Sequence, residues 1–183
     1  MQRIGVIADN HSRAPDGADV PQGVLDAFKG VDLIVHCGDA GSWGTLDRLA
    51  TVAPVVGVQG GHNGQTKDDR IAGEKRVIDL GGLRAGVVHD LVKQGLTTES
   101  NPRFLPVEAN IAEALERFFD EEIDVLLYAG THVARIGQAG GVFLVNPGSP
   151  TIPLDRPKGS LGTVAIVEVD GKSASARVIE LWR

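Results

Sequence analysis

A chain of 183 residues with 42% hydrophobic and 23% charged residues has the size and balance of one soluble domain, spanning 1–183, with a substantial core. Its net charge of −6, with no cluster of Lys and Arg, excludes an extended nucleic-acid surface working through phosphate neutralisation. A single cysteine, Cys37, excludes an intrachain disulfide and a thiolate metal cluster.

No apolar run approaches the roughly 20 residues that span a bilayer, so no membrane segment is expected. The N-terminal MQRIGVIADNH lacks a signal-peptide pattern, and a cytoplasmic protein is the expectation. A small phosphorylated substrate stays compatible with the negative charge, because metal ions can supply local positive charge.

In chain order, Arg3 to Asp9 is a short β-rich apolar run ending on an acid. Pro21 to Phe28 predicts a short helix, and Val31 to His36 a second buried strand leading into Cys37-Gly38-Asp39. Ser42 is placed to N-cap a helix through Ala50. Pro54 to Gln59 reads as a third strand before a glycine-rich run, Gly60-Gly61-His62-Asn63-Gly64. This alternation predicts parallel βαβ units.

The pattern then changes. Arg76 to Leu80 and Leu83 to His89 flank Gly81-Gly82, a hairpin signal. Residues 91 to 106 look irregular. Val107 to Asp120 places Val107, Ile111, Leu115, Phe118 and Phe119 at amphipathic-helix spacing. Ile123 to Tyr128 is a buried strand, and Ala134 to Gln138 and Val142 to Val145 flank Gly140-Gly141. Thr163 to Val169 and Ser175 to Leu181 flank Asp170-Gly171, which predicts a type I′ turn. So many strands require two packed sheets with helices outside.

Several strands lead into residues able to bind metal: Asp9 and His11, Asp39, His89, and His132. An Asp after a strand is usually a turn former, and a lone His a satisfied core or surface residue. His36 is read that way. Together, however, five such ligands arriving beyond the carboxyl ends of strands would form a mixed carboxylate–imidazole site. That donor set suits Mn, Fe, Zn or Ni better than Ca. Dinucleotide, P-loop and serine-hydrolase signatures are missing.

Asp9-Asn10-His11 resembles the D-x-H motif of the calcineurin-like metallophosphoesterases, and Gly38-Asp39 their G-D. Gly60-Gly61-His62-Asn63 falls where they carry G-N-[HC]-[DE], His89 at their strand-end His, and Ala129-Gly130-Thr131-His132 at their G-H-T-H. Asn146-Pro147-Gly148-Ser149 resembles a run of the small bacterial and archaeal phosphodiesterase branch, shared with the retromer scaffold subunit. The resemblance implies a four-layer α/β/β/α sandwich with two mixed β-sheets, and a two-metal centre that hydrolyses a phosphodiester through a metal-activated hydroxide.

By position, the resemblance gives Asp9, His11, Asp39 and His132 to a first divalent transition metal. Asp39 would bridge to a second, with His89. Gly61 and Gly130 stand where the family has two further second-site ligands, so that site is depleted. His62 is carried over as a catalytic acid near the leaving group, while His62 or Asn63 could instead replace a lost ligand. The competing class is a weakly active or inactive metal-binding scaffold of the same fold. Whether the chain forms a homo-oligomer is left open.

Overall fold

The structure is a computed structural model that describes residues 1–61, 68–98 and 110–182. Two mixed sheets form its centre. The first comprises β1 (Gln2–Ile7), β2 (Leu33–His36), β3 (Val55–Val58), β4 (Ile71–Ala72), β10 (Gly162–Asp170) and β11 (Ser173–Leu181), in the order β11-β10-β1-β2-β3-β4. The second comprises β5 (Lys75–Leu80), β6 (Leu83–Val88), β7 (Val125–Leu127), β8 (Ala134–Ala139) and β9 (Val142–Pro147), in the order β5-β6-β7-β9-β8. Strands β1 to β4 run parallel in one sheet, and β6, β7 and β9 run parallel in the other.

The period of two along each strand sorts the core into layers. Ile4, Val6 and Ala8 of the first strand and its exit face the second sheet, meeting Ala85, Val87, Val125, Leu127 and Val145. Ile7, Ile34, Val55, Val164 and Ile166 face outward, against Val24 and Phe28 of α1 (Gln22–Ala27) and its end and Leu46 and Leu49 of α2 (Trp43–Ala50). The other outer face packs Leu126, Val142 and Leu144 on Ile111, Leu115 and Phe119 of α3 (Ile111–Phe119). This is the α/β/β/α sandwich.

Local differences from the sequence reading have physical causes. Ser42 occupies the N-cap of α2 but does not cap it, because its hydroxyl donates to the Ala14 carbonyl at 2.7 Å. The last hairpin pairs Asp170 with Ser173, so its turn is Gly171-Lys172, one residue later than expected. Only Gly171 of the two has positive φ, which excludes the type I′ turn. Strand β4 was not expected, since two residues carry no readable alternation. Helix α3 starts after Asn110; residues 107–109 of the expected helix and 99–106 of the irregular stretch lie outside the described residues.

Candidate metal centre

Parallel strands align their carboxyl ends, and the loops leaving them converge at one edge of the sandwich. Asp9 and His11 follow β1, Asp39 follows β2, His89 follows β6 and His132 follows β7. Their donor atoms close a ring. His11 Nε2 lies 3.3 Å from His132 Nε2 and 3.6 Å from Asp39 Oδ2. Asp39 Oδ2 lies 3.3 Å from His89 Nε2. Asp9 Oδ1 stands 3.8 Å from His89 Nε2 and 3.6 Å from His132 Nε2.

Two groups emerge, Asp9–His11–His132 and Asp9–Asp39–His89, and Asp9 belongs to both. Asp39 also meets a histidine from each group. The structure therefore places both carboxylates between the two sets, whereas the motif comparison singled out Asp39 as the bridge.

The hydrogen bonds behind the ring fix what faces its centre. His89 Nδ1 lies 2.8 Å from the Cys37 carbonyl, and His132 Nδ1 lies 2.8 Å from the Ile152 carbonyl. A carbonyl only accepts, so both Nδ1 atoms carry the proton. In the neutral rings both Nε2 atoms then turn a lone pair inward. Asp9 is fully buried, and its Oδ1 receives no hydrogen bond among the described residues, while Oδ2 accepts the Gly130 N–H at 3.1 Å. Lone pairs facing lone pairs in a buried place repel unless a cation lies between them.

The donor set fits a divalent ion on spacing as well. Ligands about 2.0–2.2 Å from a tetrahedral ion stand roughly 3.3–3.6 Å apart, close to the observed separations. Burial pushes the Asp9 carboxyl up to about 6, against the pull of His89 and His132. Burial alone would lower His89, but hydrogen bonding to Asp39 and the charges of Asp9 and Asp39 raise it above the ordinary histidine value. Without an ion, protons do its work.

Backbone conformation marks the same residues. Among the described residues, five non-glycines have positive φ, and four of them are Asp9, His11, Asp39 and His132. That left-handed region disfavours side chains and is occupied mostly where surrounding structure enforces it. Gly60 lies against the centre from the end of β3: a Cβ there would stand 2.1 Å from Asp39 Oδ1. Only glycine lets this backbone approach so closely.

The Asn146-Pro147-Gly148-Ser149 run braces the site rather than entering it. Ser149 Oγ donates to the Asp9 carbonyl at 2.8 Å, and Asn146 Nδ2 donates to Thr131 Oγ1 at 3.1 Å, next to His132. The sequence pattern shows the run but not this use, which depends on contacts 140 and 15 residues apart along the chain.

Gly61 and Gly130 supply no side-chain donor. A Cβ on Gly61 would meet nothing within 4 Å among the described residues, whereas Gly130 has φ +82° and directs its missing side chain at Asp90. His62 and Asn63, the catalytic acid or substitute ligands expected from sequence, lie outside the described residues. A small cavity of about 100 Å³ beside His89 is lined by Gly60, Gly61, Asp90 and Lys93. Arg135 pairs with Asp155, 3.6 Å away.

The profile of the calcineurin-like phosphoesterase superfamily domain matches residues 2–172. The chain belongs to this superfamily. It is 34% identical to a probable metallophosphoesterase of Methanothermobacter thermautotrophicus, over 96% of this chain and 91% of that one. Among solved structures, zinc-complexed Vps29 from Entamoeba histolytica is similar at TM-score 0.67 and 21% identity, covering 98% of this chain and 99% of that one. A novel archaeal phosphodiesterase is similar at TM-score 0.64 and 16% identity, covering 97% and 100%. At those identities the solved structures establish the fold.

Membership of the calcineurin-like superfamily supports a hydrolase of the phosphoesterase class and implies a divalent metal, for which the converging Asp and His residues are candidate donor groups. No helix among the described residues is long and apolar enough to cross a membrane.

Proposed function

We propose that this chain is a cytoplasmic phosphodiesterase acting on a small phosphorylated substrate, with Asp9, His11, Asp39, His89 and His132 holding Mn, Fe, Zn or Ni. The observation that carries this reading is the buried Asp9 Oδ1, without a hydrogen bond among the described residues and shared by two ligand groups, with the His89 and His132 lone pairs pointing inward. These residues would hold an ion that, when bound, would supply a water of lowered pKa near neutrality and offset charge on phosphate oxygens.

The chain's own residues do the rest. The Cys37 and Ile152 carbonyls hold His89 and His132 in the metal-binding tautomer. The Gly130 N–H holds Asp9 Oδ2 and leaves Oδ1 aimed at the centre. Lys93, on the wall of the adjacent cavity, offers a cation to a substrate phosphate. His62 is proposed as the acid for the leaving oxygen.

A second reading, a weakly active or inactive metal-binding scaffold, is favoured by one observation: Gly61 and Gly130 bring no ligand to the His89 side. An assay separates the two. Metal-stripped protein should hydrolyse bis(p-nitrophenyl) phosphate only after Mn²⁺ is added. Asp39→Ala should lose more than roughly a hundredfold, since even residues supporting a ligand cost 10–100-fold. Mn²⁺-loaded wild type turning over no faster than folded Asp39→Ala would favour the scaffold.

A further inference from the structure

Three of the ligands, Asp9, His11 and Asp39, sit on two adjacent loops in left-handed backbone conformations, at φ 54°, 47° and 57°. Such a conformation is strained for a residue with a side chain and persists only when neighbouring structure over-determines it. Backbone hydrogen bonds tie the loops together: Asp9 N–H to the Gly38 carbonyl and His11 N–H to the Asp39 carbonyl, both at 3.0 Å.

Beneath them lies a side-chain bridge. His36, the last residue of β2, has no exposure at all. Its Nδ1 lies 3.1 Å from the Gly38 N–H and its Nε2 lies 3.0 Å from Asn10 Oδ1. The Gly38 N–H must donate, so Nδ1 is the acceptor and Nε2 carries the proton donated to Asn10. One ring thus holds the residue between Asp9 and His11 and the residue before Asp39, each at one fixed distance. From the opposite side Thr151 Oγ1 donates to the Asn10 carbonyl at 2.7 Å. Asn10 is 2% exposed and cannot turn to water if the bridge is lost.

We infer that His36 and Asn10 are positioning residues for the metal centre: their buried bridge sets the spacing between the Asp9–His11 loop and the Asp39 loop, and so the separation of three ligands. The inference rests on the metal-dependent reading above. His36 belongs to neither ligand group, and its effect passes through Asn10 and Gly38. An ordinary core residue would stabilise the fold without affecting ligand spacing.

The test is Mn²⁺ binding by calorimetry and by the EPR spectrum of bound Mn²⁺, at a temperature where each variant is shown folded by circular dichroism. His36→Phe fills the space but breaks the bridge; His36→Gln keeps an acceptor and a donor. Asn10→Leu removes the bridge from the other end. His36→Phe and Asn10→Leu should each weaken Mn²⁺ binding by tenfold or more and alter the EPR line shape. His36→Gln should recover most of both, and the double variant His36→Phe/Asn10→Leu should be little worse than either single one.

Folded His36→Phe binding Mn²⁺ with wild-type affinity and line shape would overturn the inference and leave the metal reading intact. So would equal losses in His36→Phe and His36→Gln. Should His36→Phe not fold, Asn10→Leu and His36→Gln decide the matter by the same measurements. Wild-type protein that binds no Mn²⁺ would overturn the inference and the metal reading together.

Discussion

Asp9→Asn should raise the melting temperature of the metal-free protein at pH 7.5 while abolishing its response to metal. The Asp9 carboxyl is pushed up to about 6 by burial. A carboxyl raised in the folded state contributes stability below its unfolded value near 3.9 and loses it as pH rises through 6. Above that, the charged form costs on the order of 2–3 kcal/mol, from a shift of about two units. Asparagine keeps the acceptor for the Gly130 N–H and turns an amide toward the His89 and His132 lone pairs. The metal-free variant should therefore melt roughly 5–10 °C higher, as expected for a chain of this length. Mn²⁺ should then add nothing, and hydrolysis should fall by more than roughly a hundredfold. Calorimetry with EDTA and with Mn²⁺ reads all but the last. A variant that melts lower in EDTA and still gains from Mn²⁺ would contradict the account.

The second large effect is on pH dependence. A divalent ion must displace protons from Asp9, which titrates at about 6, and from His89, which is raised above the ordinary histidine value. Metal affinity should fall about tenfold per pH unit for each proton in competition, so up to roughly a hundredfold per unit below pH 6. The metal-free protein behaves oppositely. Both groups have raised folded values, so each stabilises it most at low pH and loses that contribution as pH rises through its folded value. Melting curves with Mn²⁺ and with EDTA should be well separated at pH 8 and converge near pH 5. A separation that does not change with pH would show that these two groups are not where the metal binds.

The sheets were largely legible because apolar alternation and buried runs mark strands by local chemistry. Gly81-Gly82 and Gly140-Gly141 fell at hairpin turns, each with two positive φ values. The site was legible only as residue types in order. That Asp9, His11, Asp39, His89 and His132 meet follows from the parallel strand ends and the packing of two sheets. Which of their atoms face inward depends on the Cys37 and Ile152 carbonyls, 52 and 20 residues from the histidines they hold. No local pattern encodes such contacts. The sequence leaves His36 as a satisfied core or surface histidine; it is buried and hydrogen-bonded at both nitrogens, and its partners, Asn10 and Gly38, are what tie it to the centre. Gly60 is legible only as the start of a glycine-rich run, and its closeness to Asp39 appears only once β2 and β3 are paired.

The most direct test is an anomalous difference map from crystals soaked in Mn²⁺. The account predicts a strong peak about 2.0–2.3 Å from Asp9 Oδ1 and from His132 Nε2. A well-ordered map with no peak at Asp9, or with Mn²⁺ bound only elsewhere, would contradict it.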